Sequence, residues 1–110
     1  MNDETKQEMK VFSNPLFGDV RTFVIDDIPW FVAVDVCDAL DIGNSRQAVT
    51  RLDEDEKNTV IINDGTSGNP IKTIINESGL YALMLTSRKA EAKQFKRWIT
   101  PEVIPSIRKH

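Results

Sequence analysis

Residues 88-RKAEAKQFKRW-98 carry five basic side chains and one acidic one, in a chain whose formal net charge is −3. Lysines and arginines at this spacing suit one task above others, the holding of a polyanion, because each cation that meets a phosphate releases a condensed counterion. On a helix, Lys89, Lys93, Lys96 and Arg97 cover one arc, while Ala92, Phe95, Trp98 and Ile99 cover the opposite one. A solvated helix face is the ordinary reading of such a stripe. Here, however, Glu91 is its one balancing acid, and like charges at i,i+4 repel by roughly 0.2–0.5 kcal/mol per pair. A bound polyanion relieves that repulsion. Arg108 and Lys109 place a second basic pair close behind.

A second constellation is 45-SRQAVTR-51. Read as a short helix, it turns Arg46, Gln47 and Arg51 outward, and these are side-chain types that read base edges: arginine suits guanine, and glutamine suits adenine. Other chemistry lacks its parts. His110 is the single histidine, and Cys37, the single cysteine, falls on an apolar helix face and reads as a small core residue. Carboxylates are plentiful at Asp35, Asp38, Asp41 and 53-DEDE-56, but no glycine-rich phosphate loop, nucleophile–base arrangement or zinc-ligand spacing accompanies them. The expectation is no enzyme, no metal and no cofactor.

The elements that must position these residues follow from the pattern. At 110 residues and 40% hydrophobic, the chain suits one domain with one core. Residues 1–8 read as a disordered tail and 9–110 as the folded part. No window approaches the roughly 18 apolar residues of a membrane span, and MNDETKQEMK is not signal-like. These features, with a lone cysteine, suggest a soluble cytoplasmic protein with no membrane partner.

VRTFVI and IPWFV, joined at Asp26-Asp27, predict a β-hairpin. Val36, Cys37 and Leu40 predict a short helix over 35–42, with Asp35 as N-cap and Gly43 as its stop. Asn44 or Ser45 caps the next helix, which runs to about Leu52. The run 53–56 reads as a solvated loop. TVII and IKTII then form a second hairpin around the tip 63-NDGTSGNP-70. Leu80, Leu83 and Met84 mark a buried helix with Glu77 near its positive end. Thr100-Pro101 stops or kinks the basic helix, and Thr100 as cap with Pro101 at the first helical position suits a new start. The fold class is α+β, with two hairpins and four to five short helices in one compact domain. Phe31, Leu80, Leu83, Phe95, Trp98, Ile99 and Ile104 are the expected core.

The charge is two-ended. Residues 1–87 hold 7 Lys and Arg against 15 Asp and Glu, a balance of −8, and residues 88–110 hold 7 against 2, a balance of +5. The strings 20-VRTFVIDDIPWFVAVDVCDAL-40 and 75-INESGLYALMLTSRKAEAKQFKRWITPEVIPSIRKH-110 resemble the N-terminal domain of the BRO family, also met as the prophage antirepressor domain. The resemblance covers about Val11 to the end.

It implies a DNA-binding module of phage and large-DNA-virus proteins, usually joined to a variable C-terminal domain, which is expected to be absent here. Asp26-Asp27 departs from the family's Asp-Gly turn, and proline is seldom found at the position of Pro101. The resemblance names no base-contacting residue. The expected DNA-binding set therefore rests on the residues themselves: Arg46, Gln47, Arg51, Lys89, Lys93, Lys96, Arg97, Arg108 and Lys109. Double-stranded DNA is the expected partner, in a bacterial host cytoplasm. A phage repressor protein is the alternative partner, and homo-oligomer formation is left open.

Overall fold

A computed structural model of the chain describes residues 9–62, 70–87 and 92–107. The expected tail at 1–8 and the residues 63–69 of the hairpin tip lie outside the described residues. Five strands, β1 (Met9–Asn14), β2 (Gly18–Ile25), β3 (Ile28–Val32), β4 (Lys57–Ile61) and β5 (Ile71–Ile75), form one sheet in the order β1-β2-β3-β5-β4. Every adjacent pair is antiparallel. Five helices accompany it: α1 (Ala33–Ala39), α2 (Ser45–Thr50), α3 (Glu77–Thr86), α4 (Ala92–Trp98) and α5 (Ile104–Ile107). The α+β architecture is the one expected.

Successive strand residues face opposite sides of a sheet, and the apolar residues sort accordingly. Val20, Phe31 and Ile75 join the helix-side core with Val36, Cys37, Leu40, Leu80, Leu83, Phe95 and Ile99. Phe23, Trp30, Val32, Val60 and Ile74 form a second cluster. Six of the seven expected core residues are buried, and Trp98 is half-buried against the same cluster.

The β2–β3 hairpin turns at Asp26 and Asp27, whose φ values of 53° and 64° are both positive, as a type I′ turn requires. Aspartate tolerates the left-handed region better than most residues, so glycine is dispensable there. β1 was not expected as a strand. It pairs with β2 along its whole length, from Met9 opposite Phe23 to Asn14 opposite Gly18. Asn14 Oδ1 accepts the N–H groups of Leu16 (2.8 Å) and Phe17 (3.3 Å), and Gly18 leaves the turn at φ 79°, which only glycine adopts without strain.

Several local expectations are corrected. Helix α1 starts at Ala33, directly after β3, and Val32 occupies the N-cap without a side-chain cap. Asp35 lies inside the first turn because its carboxylate is committed elsewhere: it accepts from Arg21 Nε (2.8 Å), Nη2 (2.9 Å) and backbone N–H (2.9 Å). The left-handed residue that ends α1 is Asp41, at φ 60°, and not Gly43. Ile42 N–H reaches back to Cys37 O at 2.8 Å.

The acidic run is likewise no plain loop. Glu54–Glu56 form a 3₁₀ turn closed by a capping box between Asp53 and Glu56. Ser78 Oγ donates to Glu56 Oε2 at 2.5 Å, and Asn76 Nδ2 donates to Asp55 O at 3.0 Å, so the turn is docked under the start of α3. Gly79 permits that docking, since a Cβ there would stand 3.1 Å from Ile75 Cβ and 3.2 Å from Glu56 O.

Thr100 does not cap a new helix either. Pro101 has no N–H to give, and the chain passes it in one wide turn, Ile99–Val103, where Ile104 N–H bonds Ile99 O five residues back. Helical backbone therefore continues from α4 through the wide turn into α5.

Candidate nucleic-acid interface

The apolar arc of α4 is fixed by aromatic packing. Phe95 is fully buried and meets Phe17 edge-on at 5.1 Å between ring centroids. The Phe17 ring also stacks on Trp98 at 6.1 Å and 12°, and Phe95 meets Trp98 at 5.9 Å and 71°. Such pairs add about 0.5–1.5 kcal/mol beyond area burial. The β1–β2 turn thus sets the rotation of α4. Phe17 escaped the sequence reading, although the turn string 14-NPLFG-18 with its Asn, Pro and Gly signals was available to find it.

With that arc pinned, Lys93, Lys96 and Arg97 are exposed on the other side. All three border one shallow cavity of about 620 Å³ with Thr100 and Pro101, and no carboxylate among the described residues lines it. None of the three makes an ion pair among the described residues. Lys89, Arg108 and Lys109 lie outside the described residues.

Arg46, Gln47 and Arg51 are exposed, as expected, on and just after α2. Asn44 caps this helix by accepting Gln47 N–H at 3.1 Å, and only Ala48 and Val49 pack it against the core. The three outward residues do not share one surface. Gln47 and Arg51 border a cavity of about 270 Å³ with Asp41 and Thr86, while Arg46 lines a different cleft toward the β4–β5 hairpin. Thr86 belongs to the last turn of α3. Met84 and Leu85 of that same turn border a third cavity, of about 590 Å³, with Lys93 and Lys96. The end of α3 therefore stands between the two basic groups. Its position is held by Ser87 Oγ, which donates to Leu40 O at 2.9 Å.

Two further ionisable side chains are committed to the fold, and Cys37 is unreactive. Arg21 and Asp35 form a bidentate pair with side chains only 22% and 12% exposed. Burial, and then the charge of Asp38, push the Cys37 thiol up to about 11, so it stays protonated in neutral solution. Among the described residues, no group of three or more His, Cys, Asp and Glu side chains is placed to hold a metal ion. No helix among them is long and apolar enough to cross a membrane.

Comparison with known proteins bears on this surface. The chain matches the model of the BRO family, N-terminal domain, over residues 19–105. It is 39% identical over 101 residues to an uncharacterized protein of Haemophilus influenzae, a match that covers 89% of this chain and 50% of that protein. The chain thus spans about half the length of the curated relative that it matches. No solved structure matches it.

Proposed function

The chain belongs to the BRO family through its N-terminal domain, a phage-type DNA-binding regulatory domain, and from that premise we propose a specific mode of action. It binds double-stranded DNA without catalysis, as the regulatory domain of a phage or prophage antirepressor-like protein in the bacterial cytoplasm. Lys93, Lys96 and Arg97 hold backbone phosphates. Lys89, Arg108 and Lys109 extend that contact, and Arg46, Gln47 and Arg51 supply candidates for the groove. Phosphate contacts fix position, and base contacts supply specificity.

The observation that carries this reading is the cavity lined by Lys93, Lys96 and Arg97, with no carboxylate among the described residues that border it. A cation on an ordinary wet helix face gains a small amount from a neighbouring carboxylate, and these three make no such ion pair among the described residues. Phosphates would offset the mutual repulsion of the three and release counterions.

One feature favours a second reading, in which the domain sequesters a repressor protein. Between α3 and α4 the same lysines border an apolar surface of Tyr81, Met84 and Leu85, and Leu85 is 87% exposed. An anisotropy titration on random-sequence duplex at two salt concentrations separates the two. The DNA reading expects binding at low salt that weakens steeply as salt rises. No binding at low salt would transfer the basic face to a protein partner.

A further inference from the structure

The wide turn after α4 keeps Thr100 on the basic side of the helix. Lys93, Lys96, Arg97 and Thr100 stand at i, i+3, i+4 and i+7, so at 3.6 residues per turn they fall within an arc of about 100°, with Thr100 between Lys96 and Arg97. All four border the same cavity of about 620 Å³, and Thr100 is exposed there. Its hydroxyl differs from others late in their helices. Thr50 Oγ1 donates to Gln47 O at 2.6 Å, Thr86 Oγ1 to Leu83 O at 2.8 Å, and Ser106 Oγ to Glu102 O at 2.6 Å. Thr100 makes no such bond to the carbonyls before it among the described residues. Pro101 has no N–H, so this hydroxyl is the one uncharged side-chain donor among the described residues that line the cavity, beside three charged ones.

We infer that Thr100 is a phosphate ligand, its hydroxyl donating to an oxygen of the DNA backbone that Lys93, Lys96 and Arg97 hold by charge. The inference rests on the DNA-binding reading above and adds a residue to that site. Cations on long stems attract a phosphate from one side but leave its position loose. A short β-branched side chain on helical backbone directs a hydrogen bond that fixes the position. A fourth cation at the centre of the arc would repel Lys96 and Arg97, four and three positions back, whereas a hydroxyl adds a donor without charge. In the sequence Thr100 reads as a helix cap before proline, and its place in the site depends on the turn that lets helical backbone run past it.

The test is anisotropy on random-sequence duplex across a salt series for the unaltered chain, Thr100→Val, Thr100→Ser and Thr100→Lys, with melting curves to verify folding. Valine keeps the β-branched shape and removes the hydroxyl, so Thr100→Val is expected to bind about threefold to tenfold more weakly at every salt concentration. Its salt slope should not move, because a neutral donor displaces no counterion. Thr100→Ser retains the hydroxyl and should bind within about twofold of the unaltered chain. Thr100→Lys sets a cation against the same phosphate and should steepen the slope by about 0.9, a gain that misfolding cannot imitate. If the unaltered chain binds steeply with salt while Thr100→Val matches it, or if Thr100→Ser is as weak as Thr100→Val, the Thr100 assignment falls and the DNA reading stands. A shallower slope in a folded Thr100→Val would overturn the assignment too, by showing that the change acts through the cations. An unmoved slope in Thr100→Lys would place position 100 away from the backbone. No binding by the unaltered chain at low salt would bring down both readings.

Discussion

Arg21 and Lys96 carry the same charge in the same small domain and have opposite surroundings. Arg21 lies between β2 and α1, doubly hydrogen-bonded to Asp35, with 22% of its side chain exposed. Lys96 stands on the solvent side of α4, beside Lys93 and Arg97, with no carboxylate among the described residues that line the cavity they share. Cations with fixed partners hold the fold together, and cations without them are available to a ligand. The contrast explains how an acidic chain presents a basic surface: part of its acid is occupied internally, at Asp35 with Arg21 and at Glu56 with Ser78.

The comparison breaks most severely if the support of α4 is removed while every charge is kept. Phe17→Ala takes away the ring that both Phe95 and Trp98 pack against, and should cost about 3 kcal/mol or more in urea unfolding. DNA binding should weaken as well, because the basic arc loses its fixed rotation. Full affinity in a destabilised Phe17→Ala would show that the orientation of α4 is irrelevant to binding.

A somewhat smaller effect sharpens the other half. Asp35→Asn leaves Arg21 with a neutral partner and should cost on the order of 2–3 kcal/mol, below the range for fully buried pairs because both side chains keep some exposure. The salt slope of DNA binding by the folded variant should not move. A changed slope would mean that Arg21 is not confined to structure.

The mildest effect is a pH dependence. The Ser78 hydroxyl, and then the backbone N–H of Asp53, hold the Glu56 carboxyl below the ordinary glutamate range. A carboxylate whose folded pKa is depressed contributes stability above its unfolded value, about 4.3, and loses it as pH falls through the folded value. Ser78→Ala should therefore lower the melting temperature slightly at neutral pH and converge on the unaltered chain as pH falls, which leaves a shallower acid limb. An unaltered acid limb would remove Glu56 from the set of internally occupied acids.

Much of this contrast was legible in the sequence wherever one element decided it. The alternation of Phe95, Trp98 and Ile99 against Lys93, Lys96 and Arg97 is a property of a single helix, and the observed burial follows it. The Asp26-Asp27 turn and the Asn44 cap are also local. What was missed depends on distant partners. Asp35 looks like a helix cap until Arg21, fourteen residues away, is placed beside it. The strand β1 has exposed Met9 and Val11 and a weak pattern, and it is ordered by pairing with β2.

The central claim is that Lys93 and Lys96 are open to phosphate because neither makes an ion pair among the described residues. The most direct test compares the salt dependence of random-duplex affinity for the unaltered chain and for Lys93→Gln/Lys96→Gln. Both residues are exposed, so the variant should melt with the parent. It should bind all sequences more weakly to the same degree, with a log–log salt slope smaller by about 2. An identical slope in a variant that is fully folded would contradict the account.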